Sequence, residues 1–251
     1  MLIASPRHTA ADLRTWEIHE ETDRIEAERT DWQRECGRAI DMVRLFVSHG
    51  PCYAGVSWGK DSIVVAHLIA AAGLDIPLVC VRRTPIDNPD CWAVRDAFLA
   101  RWPMRYHEVV VECERDPAHP LQWWTRGVPE RTTAAQPKQV GFARAAEVIG
   151  SDRYVSGVRA EESGARVARM RRYGTATERT CAPIGWWPAS RVFAYLHHHA
   201  LPVHPAYACT LGGRLDRTRL RVGSLGGPHG QGHGRREWET RYYRDEMRVL
   251  A

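Results

Sequence analysis

Lysine is almost missing from this chain. Of its 35 basic residues only Lys60 and Lys138 are lysines, so arginine is the background choice and a lysine inside a candidate motif stands out. Long apolar runs are missing as well. None reaches the length that spans a bilayer, and the opening Met1-Leu2-Ile3-Ala4, followed by Ser-Pro-Arg, is too short for a secretion signal. The expectation is a cytoplasmic protein with no membrane partner. Paired cysteines are missing too: Cys36, Cys52, Cys80, Cys91, Cys113, Cys181 and Cys209 form an odd, scattered set with no C-x-x-C. That argues against a disulfide framework and a four-thiolate zinc site. Cys80, inside Leu78-Val79-Cys80-Val81, reads as core. What is present is ordinary for a globular chain: 251 residues, 44% hydrophobic and 26% charged, enough for one domain with a peripheral extension. A net charge of +5 points mildly to an anionic partner and does not separate a nucleotide from a nucleic acid.

The chain is organised around Ser57-Trp58-Gly59-Lys60-Asp61-Ser62. The apolar run Tyr53-Ala54-Gly55-Val56 precedes it and the periodic segment Ile63–Ile69 follows. Strand, tight polar turn, then helix is the arrangement that points free backbone N–H groups at an anion. Ser57 and Ser62 add hydroxyls, Gly59 permits close approach, and Lys60 supplies a mobile positive charge. The usual Gly-x-x-x-x-Gly-Lys-Ser/Thr loop is absent.

Before this stretch, residues 13–49 are densely charged, with apolar residues at Ile18, Ile25, Trp32, Ala39 and Phe46. That spacing predicts one long amphipathic helix or two shorter ones, packed on the sheet or on a second subunit, which makes a homodimer one option. After it, the pattern predicts strands over 76–81, 107–111 and 153–156, helices over 90–101 and 138–149, and a short helix over 121–125. Trp123 and Trp124 read as core or as a lid over a base. Residues 82–89 read as a polar turn at the C-terminal edge of the sheet, where open α/β sheets bind ligands. A second strand-to-turn stretch is Gly157-Val158-Arg159-Ala160-Glu161-Glu162-Ser163. Gly157 permits close approach, Arg159 offers a planar phosphate fork, and Glu162 orients that fork or holds a cation. Arg166, Arg169, Arg171 and Arg172 then make either a solvated loop or an anion clamp. A helix over 189–199 is anchored by Val192, Phe193, Tyr195 and Leu196. Its consecutive histidines 197–199 point in different directions and cannot all face one metal ion. From Cys209 the chain is rich in arginine, at Arg214, Arg217, Arg219 and Arg221. Residues 223–234 are too glycine-rich for a stable helix and read as a mobile loop, and a helix resumes over 235–248 with Trp238, Tyr242 and Met247 near one face. This tail either meets nucleic acid by backbone contact and stacking or covers the sheet.

The Ser57–Ser62 stretch resembles the Ser-Gly-Gly-Lys-Asp-Ser loop of the PP-loop ATP pyrophosphatase superfamily, with Trp58 in place of the first glycine. Gly157, Arg159, Glu162 and Ser163 resemble that superfamily's Gly-x-Arg-x-x-Glu-Ser segment, which lies across the cleft. The run from Cys181-Ala182-Pro183-Ile184 through the tryptophans to Leu201-Pro202-Val203-His204-Pro205-Ala206-Tyr207 is similar to the stretch that follows in the phosphoadenosine phosphosulfate reductase-like branch. The resemblance covers about residues 50–210. It implies a doubly wound, mostly parallel α/β sheet of the adenine nucleotide alpha hydrolase-like kind at 50–208, with an N-terminal helical extension at 1–49 and an irregular Arg/Gly-rich extension at 209–251. It further implies an enzyme that binds ATP with Mg2+, splits it to AMP and pyrophosphate, and adenylates an acceptor, with sulfur transfer to a nucleic acid or a small molecule as one outcome. On that model Lys60 and Arg159 are catalytic. Ser57, Trp58, Gly59, Lys60, Asp61, Ser62, Gly157, Glu162 and Ser163 hold the nucleotide, Asp87 helps hold the adenosine, and Asp61 and Glu162 are the carboxylates for magnesium. Arginines at 166–172 and 214–221 are the surface for a nucleic acid or a partner protein. Two other readings remain. One is a nucleotide-binding subunit or degenerate member without turnover, like the small subunit of an ATP sulfurylase. The other, disfavoured, is a sulfonucleotide reductase, which normally carries its nucleophilic cysteine in a Glu-Cys-Gly-Leu-His tail; here the last cysteine is Cys209 and the chain ends Met247-Arg248-Val249-Leu250-Ala251.

Overall fold

The apolar run at 53–56 forms the first strand of a six-stranded sheet, and everything else is laid against it. The computed structural model describes residues 1–227 and 234–250. In chain order the strands are β1 (Tyr53–Val56), β2 (Leu78–Thr84), β3 (Tyr106–Arg115), β4 (Trp123–Thr125), β5 (Tyr154–Ser156) and β6 (Thr180–Cys181). Their spatial order is β4-β3-β2-β1-β5-β6. All neighbouring pairs are parallel except β3–β4. The order reverses at β1, between β2 and β5, and this is where an open α/β sheet leaves a crevice at its C-terminal edge. The doubly wound α/β expectation therefore holds.

Helices α1 (Ala10–Arg29) and α2 (Trp32–Ser48) resolve the N-terminal alternative in favour of two. Thr9 and Asp12 form a capping box at the first, and Asp31 caps the second by accepting from the Arg34 amide. The expected apolar stripe is not the buried one on α1. Ile18 is 69% exposed, while Asp12, Trp16, Asp23 and Ala27 face inward. The two aspartates are satisfied by the far end of the chain. Asp12 accepts from the Tyr242 hydroxyl (2.9 Å) and from the amides of Thr210 (3.1 Å) and Gly212 (3.0 Å). Burial pushes its pKa up, but the bonds from Thr9, the Gly212 amide and Tyr242 outweigh that and hold it below the usual carboxylate range. Asp23 forms a buried pair with Arg217, Nη1–Oδ2 2.9 Å.

Helix α3 (Lys60–Ala71) is central and apolar on nearly every side, with Ile63, Val64, Val65, Ala66, Leu68 and Ile69 all buried. Helices α4 (Asp90–Arg101) and α5 (Pro137–Ile149) lie where the periodicity places them. A side chain at Gly141 would collide with Val81, its Cβ 2.1 Å from Cγ1, so α5 seats directly on β2 at a position only glycine fills.

Four expectations are corrected. β2 runs on through Thr84 because β3 pairs with it along its whole length, so residues 82–84 are strand and not turn. β3 spans 106–115 and not 107–111. Residues 123–125 are a strand antiparallel to β3, with Trp124 donating to Asp116, and not part of a helix. The arginine-rich segment is helix α6 (Gly164–Tyr173), started by Ser163, whose hydroxyl accepts from the Arg166 amide. Arginine is a good helix former, and a serine cap suffices to start the turn.

Helix α7 (Ala189–His198) buries all four expected anchors. In the tail, the expected single helix is two, α8 (Arg235–Tyr242) and α9 (Arg244–Val249), broken at Tyr243. Trp238 and Tyr242 are buried. Half of the expected glycine-rich loop, residues 228–233, lies outside the described residues. Among those described, no helix is long and apolar enough to cross a membrane.

Candidate nucleotide-binding cleft

A cleft of about 330 Å3 opens at the topological switch point, lined by the start of α3, the ends of β1, β2 and β5, α5, α6 and residues 220–223. A larger hollow of about 680 Å3 lies beyond Tyr53, Phe142 and Tyr154 and touches none of the Ser57–Ser62 residues. The chemistry sits in the smaller one.

Ser57, Gly59, Lys60, Asp61 and Ser62 all line the cleft. The turn is tied to itself, with the Ser57 amide donating to Ser62 Oγ (3.2 Å) and Ser62 Oγ to the Gly59 carbonyl (3.0 Å). The Lys60 amide is already used, donating to the Tyr207 hydroxyl at 3.2 Å. The amides of Asp61 and Ser62 have no partner among the described residues, as expected in the first turn of a helix. Lys60 Nζ donates to Asp61 Oδ2 (2.8 Å) and lies 5.5 Å from the Tyr207 ring centroid. Burial opposes its charge, but Tyr207 and Asp61 outweigh burial and hold its pKa above the ordinary lysine value.

Trp58 does not line the cleft. Its φ of 58° is the left-handed conformation that suits glycine. Its side chain is fully buried (0% exposed), with ring centroids 6.0 Å from Phe98 and 5.7 Å from Tyr106. The expectation that Trp58 holds the nucleotide narrows to its backbone.

Gly157 meets the turn from the other side. A Cβ there would lie 2.7 Å from the carbonyl carbon of Asp61 and 2.9 Å from the Ser62 amide, so only glycine lets β5 close against the helix start. Arg159, expected as a phosphate fork, is 1% exposed and lies behind the cleft wall. Its Nε donates to Asp61 Oδ1 (2.6 Å), and its Nη1 to Glu161 Oε2 (2.6 Å) and to the Trp187 carbonyl (3.0 Å). It is placed to orient Asp61, and through it Lys60, rather than to touch a ligand. Glu162 lines the cleft, but its Oε2 accepts from the Arg159 amide (3.0 Å) and pairs with Arg166. Ser163 only caps α6. Asp87 lies outside the cleft and grips Arg83, accepting from its amide (2.7 Å) and its Nη2 (2.5 Å); Arg83 itself lines the cleft.

These contacts also test the magnesium expectation. Both oxygens of Asp61 accept from cations, Lys60 and Arg159, and Oε2 of Glu162 accepts from the Arg159 amide and pairs with Arg166. The described residues hold no group of three or more histidine, cysteine or acidic side chains fit for a metal ion. Asp61 and Glu162 are thus already engaged by cations and do not form an all-protein cage for Mg2+.

Several cleft residues escaped the sequence reading. Lys138, at the start of α5, faces the cleft, so both lysines of the chain meet there. The scarcity of lysine singled out Lys138 as much as Lys60, but no motif surrounded it. Arg83 joins it, as do Arg166, of the four arginines read as a clamp or a solvated loop, and Arg221, read as part of a partner surface. Burial and the charges of these three arginines together lower its pKa, and neither Lys138 nor Arg221 has a carboxylate partner among the described residues. Arg83 and Arg166 have Asp87 and Glu162 as counter-ions, and the two cations left without one mark a place for an anion. Deeper in, Gly55, Val79, Val81, Phe142 and Tyr154 give an apolar floor. Of the remaining arginines, Arg169 donates to Thr180 Oγ1, Arg171 and Arg172 are exposed away from the cleft, and Arg214, Arg217 and Arg219 pair with Glu237, Asp23 and Asp216. All seven thiols lie off the cleft, and burial pushes each of them up, Cys36 to about 11 and Cys80, Cys113 and Cys181 to about 12.

The family model described as phosphoadenosine phosphosulfate reductase domain matches residues 51–218. A phosphoadenosine 5'-phosphosulfate reductase of Xanthomonas campestris pv. campestris is 25% identical over 211 residues, 82% of this chain and 84% of the relative. The corresponding protein of Xanthomonas axonopodis pv. citri is 25% identical over 216 residues, 84% and 86% of the two chains. Among solved structures, a phosphoadenylyl-sulfate reductase from Candida auris aligns over 66% of this chain and 81% of its own with 14% identity and a TM-score of 0.47.

Proposed function

We propose, for a chain that belongs to the phosphoadenosine phosphosulfate reductase domain family, that the cleft binds ATP and that the protein adenylates an acceptor with release of pyrophosphate. The observation that carries this reading is the meeting of both lysines with a free helix start and three arginines over one apolar floor. That is the division a nucleotide requires: an apolar slot for the base and a cationic end for the phosphates. In the step proposed, an acceptor oxygen attacks the α-phosphorus, the bond to the β-phosphate oxygen breaks, and pyrophosphate leaves with the electron pair. The charge that grows on it falls between Lys60 with the Asp61 and Ser62 amides on one side and Lys138, Arg166 and Arg221 on the other. Tyr207 and Asp61 keep the Lys60 ammonium charged, and Arg159 holds the Asp61 carboxylate that aims it.

Reduction through an enzyme thiolate is less well supported, because none of the seven cysteines lines the cleft and all are held as thiols by burial. A second reading, binding without turnover, draws on one specific feature: the Lys60 amide and ammonium are both already engaged, by Tyr207 and Asp61. The two readings part in one assay. With ATP and magnesium in solution, release of AMP and pyrophosphate is followed for the wild type and Lys60→Ala. Adenylation predicts turnover that falls by about 100-fold in the variant. ATP binding with no pyrophosphate release selects the second reading, and turnover indifferent to Lys60→Ala sinks the first.

A further inference from the structure

The family match ends at residue 218, but the cleft does not: Leu220, Arg221, Val222 and Gly223 form part of its wall. This segment is irregular and has no ladder of its own, so its shape is set from outside. On one flank the Gly223 carbonyl accepts from the Asn88 amide (3.3 Å), and the Leu225 amide donates to the Ile86 carbonyl (2.8 Å). On the other flank stands Arg235, in the first turn of α8. Its Nη1 donates to the Arg221 carbonyl (2.5 Å), its Nη2 to the Ser224 carbonyl (2.5 Å), and its Nε to Glu239 Oε1 (2.8 Å). Glu239 Oε1 also accepts from the Gly226 amide (3.0 Å). One planar guanidinium thus bridges the carbonyls that bracket Val222 and Gly223, and one carboxylate neutralises it and takes the Gly226 amide.

Both ions are buried, Arg235 at 7% and Glu239 at 1% exposure, and neither lines the cleft. Desolvating an ion pair is costly unless its hydrogen bonds are well made, and here each bond goes to the backbone of the cleft segment or to the other ion. The Arg221 side chain, which this backbone carries, faces Lys138 and Arg166 with no carboxylate partner among the described residues. Its charge also contributes, after burial, to lowering the pKa of both neighbours.

We infer that Arg235 and Glu239 are positioning residues of the nucleotide cleft. They lie outside the matched domain and act through Arg221, fixing its main chain so that its guanidinium completes the cation set that receives phosphate oxygens. The inference rests on the nucleotide reading of the cleft. A lysine cannot replace Arg235, because a single ammonium lacks the fork that reaches two carbonyls and a carboxylate at once.

The test is a double-mutant cycle read by calorimetric binding of inorganic pyrophosphate and of ATP to the full chain, using Arg221→Ala, Arg235→Lys and the double variant. Arg221→Ala is expected to weaken pyrophosphate binding about tenfold, the scale of one hydrogen bond to a charged group. Arg235→Lys alone is expected to weaken it by a comparable factor, and the double variant to bind about as well as Arg221→Ala alone. Melting temperatures measured in parallel separate positioning from folding: Arg235→Lys should lower the melting temperature equally in both backgrounds, while its effect on affinity appears only when Arg221 is present. Glu239→Gln, which keeps the volume and removes the charge, should show the same dependence. Independent, multiplying losses of affinity, or an Arg235→Lys variant that binds like the wild type, overturn the inference and leave the nucleotide reading intact. A folded wild type that binds neither ligand overturns the nucleotide reading and the inference with it.

Discussion

The segments Ser57–Ser62 and Gly157–Ser163 flank one cleft and are equally recognisable in the sequence, yet they contribute in opposite ways. The first turns its serines and lysine toward the cleft and hides its unusual residue, Trp58, in the core. The second hides its most prominent residue, Arg159, and gives the cleft Gly157, Val158 and a Glu162 already paired. The difference follows from local neutralisation. Arg159 has Asp61 and Glu161 within hydrogen-bond reach, so it is consumed by the structure. Lys138 and Arg221 have no such partner and are left for a ligand.

The largest effect that breaks this comparison comes from Arg159→Ala. If Arg159 is structural, its loss strands Asp61 and removes the tie to α7, and stability falls by about 3–5 kcal/mol, read from the urea midpoint. A variant as stable as the wild type that has lost nucleotide binding would return Arg159 to the cleft face. Trp58→Gly is expected to cost less. Removing the buried indole costs about 3–5 kcal/mol, and relieving the left-handed backbone at a bulky residue returns about 1–2 kcal/mol. The net loss of about 1–4 kcal/mol should come with ATP affinity within about a factor of two of the wild type. A large change in affinity would show that the indole reaches the ligand after all.

A third effect probes the packing behind the first segment. Burial lowers His67 and His199 to about 4 and His204 to about 3. These rings are neutral in the fold, whereas histidines of the unfolded chain protonate near pH 6.5. The unfolded chain therefore binds more protons between about pH 6.5 and pH 4. Stability from this source is complete above that window and is lost as the pH falls through it. Thermal melts should show a lower midpoint at pH 5 than at pH 7.5, and a midpoint that rises on acidification contradicts the buried neutral assignment.

Much of this was legible in the residues and some was not, for identifiable reasons. The β1–turn–α3 unit, the helices at 90–101 and 137–149, and the four anchors of α7 follow from apolar runs and turn residues that packing reinforces. The buried face of α1 was obscured because two of its inward positions are aspartates, and only the distant Tyr242, Thr210 and Arg217 make those burials tolerable. β4 owes its form to pairing with β3, which no local propensity of Trp123–Thr125 announces. At the site, residue pattern located the turn but not its exposures. The fate of Arg159 depended on carboxylates brought in by folding, and the roles of Lys138 and Arg221 on the absence of any. Lys138 was within reach of composition alone, as one of only two lysines in the chain.

The most direct test is a crystal structure with a nonhydrolysable ATP analogue. The account predicts phosphate oxygens within hydrogen-bond distance of the Asp61 and Ser62 amides, lying between Lys60 and the Lys138–Arg221 side of the cleft, with the base over Gly55 and Phe142. A triphosphate bound anywhere else, in the larger hollow beyond Tyr154 for example, contradicts it.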